Sequence, residues 1–310
     1  MRNHQRTRRV DTLIDGHLRS PETIKHRTTD YSILSEEDRA RLRKPAVILF
    51  SWTSDLERVC AAAMRSCYSS LPAFHLYTNR GKEKAQREPP LTEDRIRELI
   101  QRALKLGHES VLEHGLFTFD VQNMSRACTH QLVRHRIASF SQQSQRHVKI
   151  NAETDWYVIP PTLDAESQRR FEERMKIVAS WYTEDSKMGR KIEDARFYLP
   201  NATKTNIVVS MNPRELLHIF ALRCGREAQW EIRAVSWAML ACSKLIAPNI
   251  FRKIPRPSPD SYVEEKESKL EEILSKLRSR FERTKLGENL EIPLVTLNLE
   301  SDIRALVYKL

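Results

Sequence analysis

The stretch from Arg134 to Arg146 limits the folds open to this chain more than any other. It holds Arg134, His135, Arg136 and Arg146 among serines and glutamines, and contains no Asp or Glu. Guanidinium groups without carboxylates cannot sit in a core, because an unpaired buried charge is strongly destabilising. Basic clusters are in general solvated faces or sequence-independent contacts to nucleic acid. Such a face normally carries counter-charges, yet the nearest acids are Asp120 and Glu153. The excess charge therefore expects an external anion. Guanidinium forks match phosphate bidentately, while Ser and Gln add neutral donors for a ribose or a base edge. The stretch reads as a nucleotide clamp around which the fold is arranged.

Other routes to nucleotide binding are closed by composition. With 7 glycines in 310 residues, and neither a P-loop nor a G-x-G-x-x-G string, side chains and helix ends must hold the ligand. The net charge of +11 favours anionic partners in general, from nucleotides and folates to nucleic acid or membrane surface, without choosing among them. A 40% hydrophobic, 30% charged chain of this length can bury a substantial core as one large domain or two small ones. The five cysteines are scattered with no C-x-x-C pair, so a reducing cytoplasm is expected, with no disulfide scaffold and no zinc. No apolar run approaches the ~20 residues of a membrane span, and no signal core opens the chain, so a soluble protein is expected.

Residues 1–44 read as a basic, weakly structured extension. The apolar run Pro45 to Phe50 predicts a strand. Ser54 or Asp55 would cap a helix to about Ser70 with Leu56, Val59, Ala63 and Met64 as its stripe, followed by a loop over 71–91. A capped helix starts at Thr92, buries Ile96, Leu99, Ile100, Ala103 and Leu104, and stops at Gly107. Two His and two Glu between His108 and His114 lack the spacing of zinc helices, so no metal is expected there. Leu116 to Val121 reads as a strand and about Asn123 as a helix start carrying Gln131 one turn before Arg134. One or two helices span about Ala165 to Ala195, and Pro200 stops them. Thr205 to Ser210 alternates as a strand. Asn212-Pro213-Arg214-Glu215 is a strong helix start, with Asn as N-cap, Pro at N1 and Glu at N3. Gly225 interrupts this helix, and the next runs from Glu227 to Pro248. A stiff linker at Pro255, Pro257 and Pro259 leads to a helix with Leu270, Ile273, Leu274, Leu277 and Phe281 in a stripe, then to the apolar run Leu294 to Leu297.

The clamp resembles the signature of the flavin-dependent thymidylate synthases (ThyX), R-H-R-x-x-S followed by a loop ending S-x-R. Arg134, His135, Arg136, Ser139, Ser144 and Arg146 fall on its fixed positions. Ser141-Gln142 stands where the family usually has Asn-Glu, and His147 where it usually has an aromatic. Four further segments are similar: Gly107 to His114, Gln131 three residues before the signature, Ala195 to Pro200, and Asn212 to Ile232. The resemblance covers roughly 45–250. It implies an α+β fold, a small antiparallel sheet packed with long helices in a homotetramer whose sites lie at subunit junctions. It also implies a catalytic domain over 45–250, with 251–310 as a linker and helical appendage.

The resemblance further implies an FAD enzyme that methylates dUMP to dTMP, with 5,10-methylenetetrahydrofolate as carbon donor and NADPH as reductant. Substrate would be held by Gln131, Arg134, Gln143, Ser144, Gln145, Arg146, Arg196 and Arg223. Flavin would be held by Ser110, Arg134, His135, Arg136, Gln142, Asn212, Arg214 and His218. The chemistry suits these residues. Methylation at C5 needs an electron-rich pyrimidine, and a fixed cation near N3 stabilises the developing negative charge, for which Arg223 is the candidate. Ser144, Arg146 and Arg196 supply the fork for a 5′-phosphate, while the flavin supplies the hydride and the protein its placement. No Cys lies inside the clamp. Replacing Glu by Gln at 142 removes a charge, which keeps open a sister FAD-dependent C5-methylase acting on UMP in a modified-nucleoside pathway. The net charge and basic tail keep open a non-catalytic nucleotide- or nucleic-acid-binding homologue, although nucleic acid is not the expected partner.

Overall fold

The structure, a computed structural model, describes residues 44–79, 89–152, 155–255, 260–285 and 295–298. The expected N-terminal extension, Pro257, Pro259 and most of the chain beyond 285 lie outside these residues.

Strand β1 (Ala46–Trp52) forms where the apolar run predicts it. Helix α1 (Leu56–Ser66) is entered through Asp55 in the left-handed conformation (φ 46°) without a side-chain cap, and it stops short of Ser70. Its buried face is Leu56, Cys60, Ala61 and Met64, which leaves Val59 and Ala63 at the margin. The predicted loop over 71–91 contains a short helix, α2 (Ala73–Thr78), which follows Pro72 and buries Leu76. Helix α3 (Glu93–Leu106) follows the prediction: Thr92 Oγ1 accepts from the Arg95 N–H at 3.3 Å, and Gly107 closes it at φ 70°. A 3-10 turn (Glu109–His114) leads into β2 (Phe117–Ser125).

Strand β2 outruns its predicted end. Asn123 takes φ 57° in a bulge between Val121 and Met124, donates its N–H to Asn206 Oδ1 (2.9 Å), and lets pairing resume. Helix α4 (Arg126–Leu132) therefore starts at the Ser125 cap and not near Asn123. The clamp itself contains β3 (Ala138–Gln142), a strand that its polar sequence does not announce. Helix α5 (Ala165–Lys187), the short α6 (Ile192–Ala195) and a 3-10 turn (Arg196–Tyr198) precede β4 (Lys204–Met211). Asn212 caps α7 (Pro213–Arg223) as predicted, its Oδ1 accepting from the Glu215 N–H at 2.9 Å. Helix α8 (Trp230–Ile246) begins after a Gln229 cap, later than Glu227, and α9 (Ser261–Lys285) and β5 (Val295–Asn298) complete the described chain.

The strands form one sheet in the order β3-β4-β2-β1-β5, antiparallel throughout. In β2 and β4 one set of alternate residues is buried, Phe117, Phe119 and Val121 with Ile207, Val209 and Met211. Helix α8, buried from Glu231 to Lys244, packs against β1, β2, α4 and α7, and α9 packs on α8. Phe117, Phe119, Phe220, Phe251 and Trp237 meet in this core, and each such burial stabilises by about 1.5–3 kcal/mol. Trp237 Nε1–H donates to the Cys224 carbonyl at 3.1 Å. Glu231 locks α8 to the start of α4 by accepting from the Ser125 N–H (2.7 Å) and hydroxyl. The two central strands β2 and β4 thus feed α4 and α7 directly, and the ends of those helices meet at the R-H-R turn.

Candidate active site

Helix α7 places Glu215, His218 and Arg223 at i, i+3 and i+8, which is one face. That face meets the turn after α4, where the Arg134 N–H bonds the Gln131 carbonyl (3.2 Å) and the His135 N–H bonds that of Leu132 (3.2 Å). His135 is the buried centre of the contact, 4% exposed. Its Nε2 accepts from the Arg223 Nε–H at 3.3 Å, its Nδ1 faces Glu215 Oε1 at 3.3 Å, and its ring meets His218 edge-on at 5.8 Å. Burial first, and then Arg223 and His218, push the His135 pKa down to about 4. The Glu215 contact is therefore one of a neutral imidazole with a carboxyl group, itself pushed up by burial, and no ion pair. Since Nε2 must accept, the proton lies on Nδ1.

The expected phosphate end is built differently. Arg146, 62% exposed at its side chain, pairs through Nε with Glu193 Oε2 at 2.5 Å, and Arg196 Nε–H donates to the Glu193 carbonyl at 3.2 Å. Glu193 thus draws together two arginines that lie 50 positions apart in sequence, and it corrects the expectation that the clamp has no internal counter-charge. Ser144 Oγ accepts from the Arg146 N–H (3.1 Å), which shapes the loop carrying Gln145 and leaves the Ser144 hydroxyl hydrogen for a ligand. Gln143 is anchored at both backbone groups: its N–H donates to Asn206 (2.9 Å), and its carbonyl accepts from Arg126 (2.9 Å). Arg126 is a residue that sequence reasoning missed. Its Nε is buried without a hydrogen-bond partner, and burial together with the neighbouring Arg196 lowers its pKa. An arginine at the first position of α4, five residues before Gln131, was the available signal.

The flavin candidates divide between these regions. Arg134 and Arg136 are exposed, and among the described residues no carboxylate pairs with either. Asn212 uses its side-chain oxygen for the helix cap. Arg214 is engaged by the 3-10 turn, with Glu113 at 2.5 Å and Glu109 at 3.4 Å, and these bonds raise its pKa. The His/Glu-rich segment therefore fixes exposed Ser110 beside the start of α7. Gln142 is half-buried, and its amide nitrogen donates to Thr129 Oγ1 (2.8 Å) and Thr205 Oγ1 (3.4 Å), bracing β3 against α4 and β4. Burial and Glu231 hold the Cys128 thiol well above its usual value, so this nearest cysteine is a core group.

Residues 48–249 match the family described as thymidylate synthase complementing protein (Thy1). Flavin-dependent thymidylate synthase of Geobacter sulfurreducens is 45% identical over 208 residues, 66% of this chain and 85% of that protein. The enzyme of the same name from Pyrococcus abyssi is 49% identical over 154 residues, 48% of this chain and 63% of that one. Among solved structures, flavin dependent thymidylate synthase ThyX from Helicobacter pylori, complexed with FAD and dUMP, superposes with a TM-score of 0.54 at 21% identity, covering 67% of this chain and 98% of that one. The last of these shows the shared fold, while the first two extend the likeness to sequence. On the span of the family match and on this identity, the chain belongs to the flavin-dependent thymidylate synthase family.

Proposed function

We propose that this protein is an FAD-dependent thymidylate synthase that reductively methylates dUMP to dTMP, using 5,10-methylenetetrahydrofolate and NADPH. The observation that carries the reading is Arg223. It is held at Nε by a buried neutral imidazole, and no other described residue engages its terminal amino groups. Such an arginine is a preorganised cation, ready for charge that develops on a bound pyrimidine.

In this reading Arg146, Arg196 and Ser144 take the 5′-phosphate, and Gln131, Arg134, Gln143 and Gln145 complete the substrate side. Phosphate would replace the Glu193 carboxylate as the anion on Arg146 and would add a bond to Arg196, which now donates to the Glu193 backbone carbonyl. Arg223 would stabilise negative charge on the N3–carbonyl edge of the pyrimidine, which keeps C5 electron-rich; C5 then bonds to the methylene carbon as that carbon's bond to a folate nitrogen breaks, after which the C5 proton leaves. The exposed Arg134 and Arg136, with which no described carboxylate pairs, suit an anionic group such as the FAD diphosphate. Arg134, Arg136, Asn212 and His218 would hold FAD, with Ser110 set in place by Arg214, Gln142 bracing β3, and His135 acting from behind Arg223. Bound FAD supplies the hydride. The Gln142 amide nitrogen, the atom by which it departs from the family pattern, is engaged by Thr129 and Thr205.

A homotetramer with shared sites fits the surface. Ile137, Phe197 and Leu222 are 66%, 84% and 47% exposed, and each adjoins a site arginine, Arg136, Arg196 or Arg223. A monomeric mass by light scattering would remove this element. The catalytic unit is taken as 45–250, with α9 and β5 of the 251–310 segment closing its packing. Among the described residues no helix is long and apolar enough to cross a membrane, and all five cysteines are free, which suits action in the cytoplasm.

The test is tritium release from dUMP labelled at C5, with FAD, NADPH and methylenetetrahydrofolate. Release that Arg223→Ala abolishes is expected. No release from FAD-loaded protein overturns the reading, and faster turnover of UMP than of dUMP moves it to the ribonucleotide.

A further inference from the structure

We propose that Glu215 is a positioning residue for Arg223 and acts through His135, an assignment that rests on the reading of Arg223 as the group facing the pyrimidine. The sequence places Glu215 at N3 of α7, where a glutamate ordinarily turns back to the N-cap N–H. Here only half of that box serves the helix: Asn212 takes the Glu215 N–H, while the Glu215 side chain runs inward to His135. It is 7% exposed there. Burying a carboxyl group against a neutral ring costs stability that a solvent-facing cap would not. What the arrangement gains is a fixed tautomer. An acceptor 3.3 Å from Nδ1 favours the proton on that nitrogen, and an N–H donor at Nε2 forbids one there. With Nε2 committed as acceptor, Arg223 is held by Nε and its two terminal amino groups stay available to a ligand. Without Glu215 the imidazole can carry its proton on Nε2, and two N–H groups would then oppose each other at the Arg223 contact. The order is the one found behind metal-bound histidines, where a carboxylate sets the tautomer and the far nitrogen does the work.

The test uses full-length, FAD-loaded protein with ¹⁵N-labelled histidines, comparing the wild type with Glu215→Ala and Glu215→Gln. In the wild type His135 is expected to be neutral with its proton on Nδ1. Glu215→Ala should populate the other tautomer and lower kcat about 10–100-fold, with KM for dUMP within about threefold. Glu215→Gln keeps an oxygen acceptor and should restore both the tautomer and most of the rate. A wild-type tautomer in Glu215→Ala overturns the proposal, as does a kcat within about twofold of wild type. A Gln variant as impaired as the Ala variant, with an equal loss of thermal stability, also overturns it, since the role would then be structural. If the wild type releases no tritium while the tautomer shifts as expected, the thymidylate synthase reading fails and the Glu215–His135–Arg223 order stands.

Discussion

The two cationic regions of this site are built on opposite plans. Around Arg223 the chain satisfies itself: His135 and Glu215 are buried, and Arg223 is held before any ligand arrives. Around Arg146 and Arg196 the groups are at the surface, joined through one glutamate, with Arg126 carrying a buried and unpartnered nitrogen. The contrast tracks the chemistry each region serves. Charge that appears only in a transition state must meet a cation already in place, because reorganisation at that moment raises the barrier. A phosphate is charged throughout and can order its own binding groups on arrival.

The sharpest way to break the comparison is to remove one cation from each side. Arg223→Ala should lower kcat/KM for dUMP by about 10²–10³-fold, roughly 3–4 kcal/mol of transition-state stabilisation, and the loss should fall mainly on kcat in steady-state assays. A loss confined to KM would mean that Arg223 binds substrate and transition state alike, which would make both regions plain binding sites.

The buried plan also predicts a pH signature in stability. The folded-state pKa of His135, about 4, lies below its ordinary value of 6.5. Between these values the unfolded chain binds a proton that the folded one refuses. The contribution of His135 is therefore complete above pH 6.5 and is lost as the pH falls towards 4, by about 3 kcal/mol in all. His135→Gln lacks the term, so urea unfolding of the two proteins should differ most in its slope between pH 6.5 and 4. Parallel curves would mean that the imidazole titrates normally and is not held neutral.

On the exposed side the expected effects are smaller. Arg146→Ala should raise KM for dUMP about tenfold, or about 1.4 kcal/mol, with kcat nearly unchanged and with the penalty shrinking as salt rises. Glu193→Gln should act in the opposite direction, because it releases Arg146 from its internal partner. If Glu193→Gln instead raises KM, the carboxylate organises the phosphate site and does not compete with the substrate.

How much of this was legible in the sequence follows from which interactions are local. The Thr92 and Asn212 caps, the Gly107 stop and the alternation in β4 depend on neighbours within a few positions, and each formed where predicted. The extension of β2 to Ser125 did not, because its bulge is secured by Asn206, 83 positions away. Strand β3 was hidden for the same reason: its polar residues are held as a strand by the register with β4 and not by burial of their own. At the site, the basic residues could be read from the signature. The acids that answer them, Glu193 and Glu215, and those that fix Arg214, come from other elements, so their partnerships exist only once the chain is folded. Glu215 was visible as a helix-start residue, and only its side-chain direction revealed the rest.

The smallest predicted effect falls at Gln142, which lies in sequence between the two regions. Its amide nitrogen meets two hydroxyls, those of Thr129 and Thr205, and hydroxyls can donate as readily as they accept. Gln142→Glu, which restores the usual family residue, lets both threonines rotate and donate to the carboxylate, so the brace on β3 survives. FAD affinity and kcat/KM for dUMP should both stay within about threefold, less than 1 kcal/mol. A tenfold rise in FAD affinity or a switch between dUMP and UMP would show that position 142 touches a ligand. Gln142 would then belong with the exposed region that waits for its anion, and the line between the two regions would have to be drawn through β3 itself.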